Sequence, residues 1–226
     1  FAAAAGAAAQ DSYPSRPVRL IVGLAPGGLA DQIARLLSPG LSKELGQQFL
    51  VENRTGATGT IAARMVADSP PDGYIIMLGL DGSLIIPVAL NPKTPFDPLK
   101  DFTPITKVAE TPLILVAHPS VPVTGLADLI NQSRSAAGEK LFYYGTAGVG
   151  SSTHLAGEYL KLLTGLRMTH VAYKGAGEAT RDNVGGQIPL TFSALPSALP
   201  FVKSAKLKGL AVTSATRFAR LPEVPP

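Results

Sequence analysis

Residues 18–35 read VRLIVGLAPGGLADQIAR. A short apolar strand runs into a Pro-Gly-Gly turn and out into a helix whose apolar residues fall three to four apart. Such a passage makes an anion site from main chain alone. The first N–H groups of a helix lack intrahelical partners and lie at the positive end of the aligned peptide dipoles. A carboxylate or phosphate docks there without a Lys or Arg. Glycines at 27 and 28 keep Cβ atoms out of the approach to the backbone. Asp31 stands in the first helical turn, placed to fix the loop by local hydrogen bonds. The same turn without a ligand is a plain strand-to-helix connection carrying a first-turn acid, and the motif alone leaves both readings open.

The alternation of that segment recurs along the chain. Strands are predicted at 19–24, 49–53, 74–78, 113–117, 141–144, 170–173, 190–193 and 208–213, with helices at 29–45, 59–67, 126–135, 152–164 and 176–184. Apolar runs alternating with helical periods indicate an α/β fold of mainly parallel sheets flanked by helices. Pro39 is expected to kink or divide the first helix. Residues 91–104, NPKTPFDPLKDFTP, have four prolines and no period, and read as a long surface connection between two units. The division expected is a leader at 1–12, a first lobe at 13–109 completed by 213–226, and a second lobe at 110–212.

Length and composition narrow the function classes. The chain has 226 residues, 46% hydrophobic, enough for one large or two small cores. Its net charge of +4 arises after residue 109 and is scattered, apart from Lys203, Lys206 and Lys208. With neither a basic block nor interleaved aromatics, the footprint of nucleic-acid binding is missing. There is no cysteine, hence no disulfide and no thiolate metal site. The opening FAAAAGAAAQDSYPSRP reads as the tail of a secretory signal peptide, with Ala7 and Ala9 in the small-x-small arrangement before Gln10. An Ala-rich leader is the other reading of the same composition. The longest apolar candidate, 74–90, is interrupted by Asp81, Gly82 and Pro87, short of the roughly 18 residues a membrane span needs.

Three further glycine turns follow strands. In ENRTGATGT (52–60), Glu52 stands about 20 residues beyond the first turn, where a ribose-binding acid would be. The glycine spacing nevertheless fails the dinucleotide fingerprint, and no G-K-[ST] phosphate loop occurs. In YYGTAGVGSSTHLAGE (143–158), hydroxyls at Ser151, Ser152 and Thr153 are available to cap a helix and to donate outward. In VAYKGAGEAT (171–180), Lys174 reads as a solvated turn lysine rather than a reactive one. His154 and Glu158 share a helix face and fit a metal pair, but a satisfied structural histidine is the commoner case. No G-x-S-x-G elbow or close pair of acids supports catalysis, and no catalytic residue, cofactor or metal is assigned.

Taken in order, APGGLAD, VENRTGATGT, DSPPDGY, PFDPLKDFTP, GTAGVGSSTHLAGEYL, VAYKGAG and LAVTSATR resemble the Bug family, the periplasmic solute receptors of tripartite tricarboxylate transporters. The resemblance runs from about Tyr13 to the last residue. It implies two α/β lobes with a ligand between them, an exported monomeric receptor, and no enzyme activity. It further implies a small organic carboxylate held, partly through water, at the first turn by Pro26, Gly27, Gly28, Leu29 and Asp31. The second-lobe turn, Thr146, Ala147, Gly148, Val149, Gly150 and Ser151, holds it from the other side. Ser193 is expected just after the strand at 190–192, where relatives carry an acid or amide, so an amino-acid ligand is disfavoured. Leu29 stands where relatives have a small residue, Ala172 where they have proline, and Asp81 in a loop expected to border the cleft. The family continues past residue 226, so an incomplete first lobe is expected.

The resulting expectation is an extracytoplasmic receptor that closes on a carboxylate and delivers it to membrane transporter subunits, hinged near 109–111 and 212–214. The alternative is an α/β enzyme binding a phosphorylated or nucleotide substrate at the same turns.

Overall fold

The computed structural model describes residues 12–135 and 142–226; the expected leader apart from Ser12, and Leu141 of the fifth predicted strand, lie outside them. In chain order the elements begin β1 (Val18–Val22), α1 (Leu29–Leu45), β2 (Phe49–Asn53), a 3-10 turn (Ala57–Gly59), α2 (Thr60–Ala67) and β3 (Ile75–Leu78). Next come α3 (Asp81–Leu84), α4 (Ile86–Leu90), β4 (Leu113–Ala117), α5 (Leu126–Ser135), β5 (Phe142–Thr146) and α6 (Ser152–Thr164). The chain continues through β6 (Met168–Ala172), α7 (Ala176–Val184), β7 (Leu190–Ala194), α8 (Leu195–Lys203) and β8 (Lys208–Val212).

Two sheets result. The first has the order β2-β1-β3, all parallel. The second has the order β6-β5-β7-β4-β8; β4 runs against both neighbours, and the other strands share one direction. The period-two alternation of β4 divides the second core between two faces. Leu115 and Ala117 join Phe142, Tyr144, Met168 and Phe192 on one side. Ile114 and Val116 join Leu195, Leu207 and Val212 on the other. The core of the first sheet is smaller, built on Leu20, Val22, Ala30 and Ala34. No helix of the described residues is long and apolar enough to cross a membrane.

Three expectations need correction. Pro39 does not divide α1, which runs as one helix to a left-handed cap at Gly46. The Ser42 hydroxyl donates to the Ser38 carbonyl at 2.7 Å and ties the turn containing the proline. Helices α3, α4 and α8 are not among the predicted helices; α4 contains the Pro87 that interrupts the 74–90 apolar run, and α8 contains Pro196 and Pro200. Pro87 and Pro196 occupy first-turn positions, where the missing N–H has no intrahelical use. Finally, residues 213–226 do not return to the first sheet. Leu221 and Val224 bury against Ile114, Val116 and Leu195, and the Val212 N–H donates to the Pro225 carbonyl at 2.8 Å.

A test of the second core falls at Gly157 of α6. A Cβ there lies 2.7 Å from Cζ and 2.9 Å from the hydroxyl of Tyr144, whose ring is fully buried. Alanine gains about 1 kcal/mol over glycine in a helix, while overpacking a core costs about 1–3 kcal/mol. Since the ring has nowhere to move, the clash wins. Gly157→Ala is expected to lower the urea midpoint by the equivalent of about 1–2 kcal/mol with m unchanged; a raised midpoint contradicts this packing.

Candidate functional site

The corner between β5 and α6 is braced from within. The Ala147 N–H donates to the Thr153 hydroxyl at 3.0 Å, and the Gly148 N–H to the Thr146 hydroxyl at 3.2 Å. The Gly150 N–H donates to Nδ1 of His154 at 3.1 Å, and the Ser151 N–H to the Gly148 carbonyl at 3.2 Å. Ser151 is the helix cap, accepting from the His154 N–H and donating to the Gly148 carbonyl at 2.7 Å. The N–H groups of Val149, Ser152 and Thr153 have no acceptor among the described residues. They lie at the positive end of a 13-residue helix.

Opposite this corner stands the turn between β2 and α2. The Thr58 hydroxyl donates to the Val149 carbonyl at 2.6 Å, tying the two sheets' turns together. Ala57 and Thr58 adopt left-handed φ of 44° and 56° without being glycine. Each such residue costs on the order of 1–3 kcal/mol, and strain of this kind collects at binding sites. Between the turns lies a cleft of about 580 Å³, within the usual range for small ligands. Its walls are Thr55 to Thr58 and Thr60 on one side, Ala147 to Gly150 with Tyr173 and Lys174 on the other, and Pro87, Leu90, Asn91, Thr94 and Pro95 along the rim. Lys174 is the one charged residue among these, and its ammonium has no carboxylate partner among the described residues.

The predicted site residues separate into three groups. Ala147, Gly148, Val149 and Gly150 line the cleft, while Thr146 and Ser151 are buried and brace it. The first turn is elsewhere. Pro26, Gly27, Gly28 and Leu29 are absent from the cleft wall, and Gly27 and Gly28 approach the start of α7: a Cβ on Gly177 would lie 3.0 Å from the Gly27 carbonyl, and one on Gly175 3.2 Å from Cβ of Ala25. Asp31 is buried and does fix the loop, accepting from the Gly27 N–H and from Nε of Arg35 at 3.0 Å each. Burial opposes its charge, but hydrogen bonds from Arg35, Gly27 and Asn53 hold the carboxyl below its ordinary pKa. Ser193 belongs to β7 rather than to a following turn; it is fully buried, its hydroxyl 3.1 Å from that of Thr180. Asp81 is absent from the cleft wall and accepts from the Gly82 N–H at 2.7 Å.

Thr55 to Thr58, Thr60, Tyr173 and Lys174 line the cleft without being among the site residues expected from sequence. The second glycine turn carries the available signal, although Glu52 before it points first to a dinucleotide loop. That alternative loses its acid here. Glu52 is forked by Arg19 at 2.7 and 2.8 Å and held by Arg54 at 3.1 Å, and these hydrogen bonds, Arg19 foremost, lower its pKa to about 2. Nor do three His, Asp or Glu side chains converge to hold a metal among the described residues. Glu158 is engaged by Lys161 and by the Tyr144 hydroxyl at 2.8 and 2.6 Å, and His154 stacks on His170.

Comparison with known proteins agrees with this architecture. Residues 33–226 match the model of the family described as tripartite tricarboxylate transporter family receptor. BugT of Bordetella pertussis is 37% identical over 229 residues, covering all of this chain and 70% of that protein. A Bordetella bronchiseptica relative is covered to 64% of its length, so the chain spans about two thirds of its curated relatives. Among solved structures, R. palustris Rpa4515 with adipate is 37% identical with a TM-score of 0.86, covering 94% of this chain and 71% of that one. MatC from Rhodopseudomonas palustris with bound malate is 33% identical with a TM-score of 0.87, covering 94% and 72%. The chain belongs to the tripartite tricarboxylate transporter receptor family, the Bug-type periplasmic solute-binding proteins.

Proposed function

We propose that this chain is the ligand-gripping part of an exported receptor that takes a small organic carboxylate into the cleft between the 55–60 and 147–150 turns. On this reading it hands the carboxylate to a membrane transporter without altering it chemically. The observation that carries the reading is the charge pattern of the cleft: the Val149 N–H without an acceptor among the described residues and one lysine, with no carboxylate in the wall. Such a lining favours an anion and rejects a cation. The adipate and malate held by structural neighbours belong to the same chemical class.

The two sheets then act as two lobes, 13–109 and 110–212, with residues 213–226 travelling with the second. A carboxylate touching both turns stabilises the arrangement in which they meet, because only that arrangement offers both sets of donors. The 91–112 connection is where the lobes turn relative to each other. Contact of α7 with the first turn sets how far they close, since Gly177 leaves room for backbone alone.

Three outcomes test this. In a thermal-shift panel of mono-, di- and tricarboxylates, at least one acid is expected to raise Tm by about 5 °C or more at a hundredfold excess over its Kd, which corresponds to roughly 2.7 kcal/mol. No shift with any acid contradicts the receptor reading. Lys174→Met is expected to weaken binding of that acid about tenfold in calorimetry, about 1.4 kcal/mol, with the ligand-free Tm unchanged. Unaltered affinity removes the lysine from the site. Gly177→Ala sets a Cβ against the Gly27 and Gly28 backbone and is expected to cut affinity by about tenfold or more. Scattering of the variant mixed with ligand should show a larger radius than the native protein; equal affinity and radius contradict the proposed contact.

A further inference from the structure

Two histidines lie behind the cleft wall and face it with their ring nitrogens. The rings of His154 (α6) and His170 (β6) stack with centroids 4.1 Å apart and an interplanar angle of 34°. Nδ1 of His154 accepts the Gly150 N–H at 3.1 Å, so the neutral ring carries its proton on Nε2, 4.0 Å from Oε1 of Glu158. Nε2 of His170 lies 2.6 Å from the Thr146 hydroxyl, which also takes the Gly148 N–H. Each ring thus fixes one glycine of the corner, His154 directly and His170 through Thr146.

We propose that His154 and His170 are positioning residues that hold the Thr146–Ser151 corner in its binding arrangement while both rings are neutral, and that a proton on His154 releases it. The inference rests on the receptor reading, since it concerns how that cleft keeps its shape. A proton on Nδ1 of His154 would set one N–H donor against another, that of Gly150, and the corner must turn to separate them. It would also place a cation on the face of a second imidazole.

The charged and titratable groups facing the pair are Glu158 and Lys161 from α6 and Tyr144 from β5. Glu158 favours protonation, but it is already engaged by Lys161 at 2.8 Å and by the Tyr144 hydroxyl at 2.6 Å. Burial is the largest influence on both rings and lowers both pKa values. For His154 the nearby Lys161 adds to this against Glu158; for His170 the neighbouring His154 adds most, and the result is about 4. The sign follows. An unfolded chain takes up these protons below about pH 6.5, whereas the folded corner resists them. Stability and grip are therefore complete above that pH and decline as pH falls through the folded values.

The test compares the full chain with His154→Asn, whose side-chain oxygen can accept the Gly150 N–H and does not titrate. Adipate is the probe, measured by calorimetry from pH 8 to pH 4.5. Protonation of adipate itself affects both proteins equally, so the ratio of their Kd values isolates the histidine. Relative to its value at pH 8, that ratio is expected to grow at least tenfold against the native chain toward pH 4.5. A ratio flat across the range overturns the inference. In parallel, the Gly150 amide resonance of the native chain is expected to titrate together with the His154 ring signals, and an amide that ignores the ring's protonation also overturns it. If adipate binds neither protein at any pH, the receptor reading with this acid has failed, and the Gly150 titration still decides the role of the histidines.

Discussion

The structure depends on how one helix corner distributes its main-chain donors. Buried N–H groups require partners, and in the turn from β5 to α6 the partners are chosen so that some donors are consumed and others are left. Thr146, Thr153 and His154 take the amides of Gly148, Ala147 and Gly150, which locks the backbone. Of the three amides without an acceptor among the described residues, that of Val149 belongs to the cleft wall and remains for a ligand. A rigid frame with unspent donors at a helix N-terminus is what an anion site requires, because the dipoles are already aligned before the ligand arrives.

This frame stands only because the elements behind it are packed. Tyr144, fully buried, lies against His170 with centroids 5.3 Å apart and against Phe192 at 6.0 Å, so the stacked histidines rest on the apolar core of the second sheet. Gly157 gives up its side chain so that α6 can sit directly on that tyrosine. On the facing side the turn of Ala57 and Thr58 holds a left-handed backbone, which the hydrogen bond from Thr58 to Val149 helps to maintain.

Much of the fold was legible in the sequence. All eight strands appear within a few residues of their predicted places, and α1, α5, α6 and α7 have their predicted bounds, because alternating periods of two and of three to four residues record burial directly. Pro87 interrupts the apolar run that holds α4, yet a proline in the first helical turn is tolerated, as it is again at Pro196 of α8. The site was legible in part. The 146–151 corner carries its own signature, but which turn faces it is a tertiary fact. The 25–31 turn has the same local chemistry, yet Asp31 consumes its Gly27 amide, and the start of α7 approaches Ala25, Gly27 and Gly28. Nothing local distinguishes it from the 55–60 turn that takes the opposing place. Residues 213–226 were misplaced for a similar reason: Leu221 and Val224 are apolar wherever they pack, and the choice of sheet is made by the exposed face beside β4 and β8.

A crystal structure of the chain with a dicarboxylate is the most direct test of this account. One carboxylate is expected about 3 Å from the Val149 and Ser152 amides, with Thr58 and Lys174 on its other sides. A carboxylate bound away from the 147–152 corner, with those amides turned to solvent, would contradict it.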